Sequence, residues 1–175
     1  MIPKNQESCI DIDNFFTMNL GNWLTQKTSY NPSSKKHTTS TTKTFIKKIE
    51  DHTSILNLLN NNKYENLSTT NKIQAYNITS EKGRREASSV LTYIEQHDSK
   101  SDGIIYKIGT NKNNQNTIGE FQLIGNVLKI LIKHKRFAIE EKIWFINKNL
   151  KLTKSIIKRE DHCVLISFVS EIKIE

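Results

Sequence analysis

An all-β, antiparallel up-and-down barrel is the fold class this sequence predicts, and three observations predict it. Runs rich in Val, Ile, Thr, Tyr and Phe recur at a spacing of about a dozen residues. Clusters of turn-forming residues separate them: "SEKGRRE", "DSKSDG", "NKNNQN", "NKN" and "REDH". Roughly eight to ten consecutive strands joined by such short turns would leave exposed edges unless the sheet closes on itself. A closed barrel of about eight strands or slightly more has room for one small ligand.

The elements follow in order. In "DIDNFFTMNLGNW" the spacing of Ile12, Phe15, Phe16 and Leu20, ended by Gly21, predicts a short amphipathic helix over 11–20. From Trp23 the period changes, and "WLTQKTSY" and "TSTTKTFIKKIE" flank "NPSSKK", a hairpin with long arms. A second short helix is expected at "DHTSILNLLNN", capped by Asp51 or Thr53, with Ile55, Leu58 and Leu59 on one side. Eight strands then follow: "KIQAYNIT", "SVLTYIE", "GIIYKIG", "EFQLIG", "VLKILIKHK", "FAIEEKIWFI", "NLKLTKSIIK" and "CVLISFVSEIKI". The Asn-rich tracts near residues 60 and 113 read as loops, and residues 1–175 as a single domain.

Within "EEKIWFINKNLKL" one strand face carries Glu141, Ile143, Phe145, Asn149 and Lys151, and the other Trp144, Ile146, Leu150 and Leu152. Successive side chains of a strand point to opposite sides, so the two sets meet different environments. The more apolar set reads as core, as do Val164, Ile166, Phe168 and Ile172 in the last strand. The mixed set would face solvent, or a buried ligand that is itself partly polar.

Composition narrows the function classes. A chain of 175 residues buries enough surface to stand without staples, and its two cysteines, Cys9 and Cys163, give neither a disulfide framework nor a metal-ligand spacing. The best apolar run, "VLKILI", is far shorter than the roughly 20 residues of a membrane span. His37, His52, His97, His134 and His162 are scattered, so no metal site is expected. The net charge of +8 comes mostly from Lys, and the excess of Lys, Asn and Ile is what A/T-rich codons specify. A nucleic-acid partner would call for aromatics interleaved with Lys on one exposed face, and the linear sequence does not cluster them so. The start "MIPKNQESC" has no signal or transit character. A soluble protein acting where it is made is expected, with a compact A/T-rich genome such as a plastid's accounting for both features.

Two distant stretches carry a family resemblance. "EEKIWFINKNLKLTKS" followed by "CVLISFVSEIKI", together with "DIDNFFTMNLGNWLTQKTSY" at the other end, resembles the signatures of the S-type phycobiliprotein chromophore lyases, the CpcS/CpeS family. "GEFQLIGNVLKILIKHKRFAIEEKIWF" tracks the strands between, whereas residues 57–100 match poorly. The resemblance implies a lipocalin-like barrel with no tightly bound cofactor, which the composition above would place in the plastid stroma. As substrate it implies an open-chain tetrapyrrole, phycocyanobilin or phycoerythrobilin. This bilin would be delivered to a cysteine of an apo-phycobiliprotein subunit, with a homodimer or a paralogous lyase subunit left open.

On that resemblance the catalytic residues are Glu141, which would manage a bilin proton, and Lys151, which would hold a propionate. Thr153, Ser155 and Glu171 join them as bilin-binding residues. On periodicity alone Glu141 is a solvent-facing charge on an amphipathic strand. Lys151 and Thr153 stand where the family pattern N-L-R-L-R has arginines. Lys keeps the charge and loses the planar fork, and Thr keeps neither. Lys154 faces the other way unless a bulge intervenes. Trp23 and Trp144 read as packing anchors, and Cys163 as a buried free thiol.

Overall fold

The computed structural model describes residues 10–61, 73–83, 85–95, 101–109 and 116–174. Cys9, His97 and most of the Asn-rich tracts lie outside the described residues. The elements are helix α1 (Ile12–Met18), β1 (Gly21–Asn31), β2 (Lys36–Ile49), α2 (His52–Asn61), β3 (Ile73–Lys82), β4 (Arg85–Glu95) and β5 (Asp102–Gly109). They continue as β6 (Thr117–Ile124), β7 (Val127–His134), β8 (Phe137–Asn147), β9 (Leu150–Arg159) and β10 (His162–Ile174). Each strand pairs antiparallel with its sequence neighbours, and β1 pairs with β10, so the ten strands close on themselves. The lipocalin-like up-and-down barrel expected from the sequence is present, with both helices.

Helix α1 closes one end. Asp11 caps it by accepting from the Asn14 amide at 2.8 Å. Ile12, Phe15 and Phe16 are buried against the barrel floor. Phe16 packs against two neighbouring tyrosines, its ring centroid 5.3 Å from that of Tyr76 and 4.4 Å from that of Tyr93, which are 6.2 Å from each other. Gly21 then turns the chain into β1 with φ +114, and an added Cβ there would sit 2.9 Å from Lys173 Cε. The turn carries Trp23 inward, fully buried, where its Nε1 donates to the Asn19 carbonyl at 2.8 Å.

Helix α2 packs outside the barrel. Its Ile55 and Leu59 cover Ile73, Ala75, Val90, Tyr106 and Ile108, which are outward positions of β3, β4 and β5. The described residues therefore form two apolar clusters, one in the lumen under α1 and one beneath α2.

The face expected as core on β8 and β10 is the outer wall. Ile146 is 56% exposed, Ile172 54% and Phe168 47%; Ile166 is also exposed, while Val164, Leu150 and Leu152 are half-buried. Trp144 is half-buried on the same wall, packed edge-on against Phe168 with centroids 6.5 Å apart. Cys163 is half-buried rather than buried. The reason is closure: a barrel wall has one lumen face and one outer face, and among the described residues no helix covers β8–β10 as α2 covers β3–β5. The more polar face of "EEKIWF" belongs to the lumen.

Phe16→Ala is expected to cost about 3–5 kcal/mol of unfolding free energy. Ile172→Thr on the outer wall should change it by no more than about 0.5 kcal/mol. Urea denaturation of both variants checks the ranking, and a larger loss at Ile172 would place that residue in a core.

Candidate functional site

Side chains that point inward from β8, β9, β10 and β1 line up in cross-strand rows. Glu141 lies opposite Ser155, Ser155 opposite Ser167, and Ser167 opposite Ser29. One row nearer α1 come Ile143, Thr153, Val169 and Lys27, and nearer still Phe145, Lys151, Glu171 and Thr25. Alternation at period two brings these residues to one wall of the lumen. Lys154, between the rows, is exposed outside, with regular pairing to Lys142 and Phe168.

The lumen holds a cavity of about 210 Å³. Phe15, Phe16 and Asn19 of the α1 segment form its floor, and Ile46, Leu128, Ile130 and Ile143 its apolar walls. Glu141, Lys151 and Glu171 line it, as do Lys107 and Thr117 on the opposite side of the barrel. Thr153 and Ser155 share the inward register but not the cavity lining. Inward residues near α1, such as Trp23, Phe121 and Leu123, are buried, whereas Lys27 and Lys107, inward and farther along, are exposed. The cavity therefore opens away from α1.

Two charges are buried at the floor. Lys151 is 5% exposed and Glu171 9%. The Lys151 Nζ lies 2.9 Å from Glu171 Oε2, donates to Asn19 Oδ1 at 2.8 Å, and sits 4.9 Å from the centroid of the Trp23 ring. Asn19 is held in turn by donating its Nδ2 to the Phe15 carbonyl at 2.8 Å, so the end of α1 orients a ligand of the buried ammonium. Thr25 Oγ1 donates to Glu171 Oε1 at 3.2 Å and touches Thr44 Oγ1 at 3.1 Å. Burial pushes Lys151 below the ordinary lysine value of 10.5, and the opposing pull of the Glu171 carboxylate does not cancel it.

Glu141 differs from Glu171. It is half-buried where the apolar wall meets the serine row, facing Ile130 on one side and Ser155 on the other. Its carboxylate has no hydrogen-bond or ion-pair partner among the described residues. Near the floor, burial raises the Tyr76 phenol to about 12, which keeps it a neutral donor to Gln74 Oε1 at 3.0 Å.

Of the residues expected from the sequence, Glu141, Lys151 and Glu171 meet around one cavity, and Thr153 and Ser155 stand on the same wall above it. Asn19, Lys107 and Thr117 were missed. Asn19 had a local signal, a polar residue ending a helix two positions before Gly21. Lys107 had only its place in the alternation of "GIIYKIG", which does not say which face is inward.

A closed antiparallel barrel, plugged at one end by a helix and open to a partly charged lumen at the other, has the form of a calyx with room for a small ligand. Residues 11–174 match the family model described as CpeS-like protein, and the chain belongs to that family. The chromophore lyase CpcS/CpeS 1 of Trichodesmium erythraeum (strain IMS101) is 26% identical over 172 residues, spanning 94% of this chain and 98% of that protein. The chromophore lyase CpcS/CpeS of Thermosynechococcus vestitus is 24% identical over 170 residues, 94% of this chain and 93% of its own. The structure of the S-type phycobiliprotein lyase CPES from Guillardia theta aligns with a TM-score of 0.73 at 17% identity, covering 99% of each chain. At that identity the structural likeness is one of fold.

Lys151→Ala leaves Glu171 as a buried, uncompensated charge, which should cost about 3–5 kcal/mol at neutral pH. The lowered Lys151 pKa also fixes a sign. Between its folded-state value and 10.5 the unfolded chain binds the proton that the folded chain has released, so stability rises with pH there. The unfolding free energy of wild type minus that of Lys151→Met should therefore climb as pH approaches 10.5. Urea titrations at stepped pH measure the difference, and a flat or falling difference would contradict the lowered value.

Proposed function

We propose that this chain is a phycobiliprotein chromophore lyase. It would act as one unit in a plastid stroma, binding an open-chain tetrapyrrole and directing its attachment to a cysteine of an apo-phycobiliprotein. The observation that carries the reading is Glu141: a carboxylate with no hydrogen-bond or ion-pair partner among the described residues, lining the lumen cavity between apolar Ile130 and a row of serines, in a chain of the CpeS-like family. A bilin combines pyrrole nitrogens, two propionates and a flat apolar body, and the lumen offers a group for each.

The cavity is smaller than the roughly 300–1,000 Å³ of pockets that enclose drug-sized ligands. Part of the tetrapyrrole therefore lies in the mouth, which leaves ring A accessible to a partner protein. Glu141 meets pyrrole N–H groups and exchanges a proton with them. Lys151 offers positive charge to a propionate in competition with Glu171, and Lys27 and Lys107 offer it at the mouth. Thr153, Ser155 and Glu171 complete the polar wall. The reaction is an addition: the acceptor thiolate forms a C–S bond at the ring A ethylidene, the C=C π pair moves into the ring system, and that site gains a proton. Nothing is oxidised, and no group leaves. The protein's main contribution is orientation, with Glu141 setting bilin protonation.

A second reading, a noncatalytic bilin carrier or accessory lyase subunit, is favoured by Thr153, where the family pattern has arginine.

Purified protein mixed with phycocyanobilin or phycoerythrobilin and apo-phycobiliprotein subunits should label the acceptor covalently, read as zinc-enhanced fluorescence on a denaturing gel. Glu141→Gln should slow labelling about 100-fold or more, and Lys151→Arg should retain it. An absorption shift without labelling would assign the carrier role, and no binding of either bilin would defeat both readings. Thr153→Arg should tighten bilin binding by restoring a forked donor; a weaker titration would mean that position 153 is not a vacated contact.

A further inference from the structure

The outer wall of β7–β10 carries a feature that the lumen does not explain. Lys129 on β7 lies directly opposite Lys142 on β8, and Lys142 directly opposite Lys154 on β9. All three are exposed, and like charges facing each other across a ladder destabilise a sheet. The row continues to Phe168 on β10. Lys133 and Lys158 stand on the same wall beyond the row. Its one carboxylate, Glu140, is already engaged by Lys158 at 2.7 Å, and Glu120 stands on neighbouring β6. Toward α1 the lysine row borders an apolar field: Trp144 against Phe168, then Ile146, Ile172 and Leu24, the last three exposed. Leu24 pairs with Ile172 across the β1–β10 seam, so the field is continuous over four strands.

We propose that this wall is a docking surface for an acidic protein with an apolar centre, and, resting on the function proposed above, that the protein is the acceptor subunit. Charge complementarity selects the occupant. A partner bearing carboxylates relieves the lysine ladder, and the adjoining aromatic and aliphatic side chains supply the dry centre of an interface. A second copy of this chain would set one lysine-rich wall against another, with like charges juxtaposed. A nucleic acid would match the charge, but the only aromatics beside the row among the described residues, Phe168 and Trp144, are packed edge-on against each other. Beyond them the field is aliphatic Ile146, Ile172 and Leu24 rather than a series of rings on which successive bases stack. The wall is the outer side of the strands whose inner side bears Glu141, Lys151 and Glu171, so a partner seated there sits one strand thickness from the lumen.

The test combines Lys129→Glu, Lys142→Glu and Lys154→Glu, all outside the lumen, and separates docking from chemistry. With bilin-loaded protein, the KM for acceptor subunit should rise at least about tenfold while kcat and the bilin absorption titration stay unchanged. Raising salt from about 50 to 300 mM should weaken wild type and not the variant. An unchanged KM with the same salt response would overturn the proposal. Co-sedimentation of bilin-free protein with acceptor subunit reads docking by itself. If wild type binds no bilin but sediments with the acceptor, and the variant does not, the lyase reading fails and the docking surface stands. If wild type is a dimer that Phe168→Ser with Ile172→Ser splits, the wall belongs to a second copy and the proposal falls. Binding of a fluorescent single-stranded oligonucleotide that the charge reversal abolishes, without acceptor binding, would overturn it in favour of nucleic acid.

Discussion

Closure of the ten-stranded sheet is the constraint on which the rest of the molecule depends. Once β1 pairs with β10, every strand residue belongs either to the lumen or to the outer wall, and a register slip of one residue would exchange the two sets. The lumen end near α1 is filled by Ile12, Phe15, Phe16 and Trp23, and what remains above them is the cavity. Helix α1 is thus both plug and floor, and through Asn19 it reaches the charged part of the site.

The buried Lys151–Glu171 pair shows how the same constraint shapes the chemistry. Desolvating both charges is costly, and the offset comes from close contact, from Asn19 and Thr25, and from the face of Trp23. Such a pair is preorganised rather than free, since its first partners are already in place. Glu141, farther up the wall and without a hydrogen-bond or ion-pair partner among the described residues, is the lumen carboxylate left to answer a ligand. One engaged ion pair and one unengaged carboxylate on adjacent strands give the lumen a rigid base and a responsive middle.

Much of this was legible in the sequence. Strand periodicity and turn clusters predicted the barrel, and the spacings Ile12–Phe15–Phe16 and Ile55–Leu58–Leu59 the two helices, because those signals are local. The residues expected at the site lie on one wall, because "EEKIWF", "NLKLTKS" and "SEI" are adjacent in the sheet as well as close in sequence. Hydrophobicity misled where it was used to choose between faces. Trp144, Ile146, Phe168 and Ile172 are more apolar than their lumen-facing neighbours yet stand outside, since closure by register, not hydrophobicity, decides which face of each strand lines the lumen. The lysine row was invisible for another reason. Lys129, Lys142 and Lys154 are separated by a dozen residues or more in sequence, and only the register places them side by side.

On the proposed function, a bilin enters the lumen rather than lying on the outer wall. Titrating phycocyanobilin into isotopically labelled protein, and following backbone amide shifts residue by residue, tests it most directly. The largest shifts are expected at the inward positions Glu141, Ile143, Lys151 and Glu171 and in the α1 floor at Asn19, with small ones at Lys142, Lys154 and Ile172. Shifts concentrated at those outward positions, with the lumen unmoved, would contradict it.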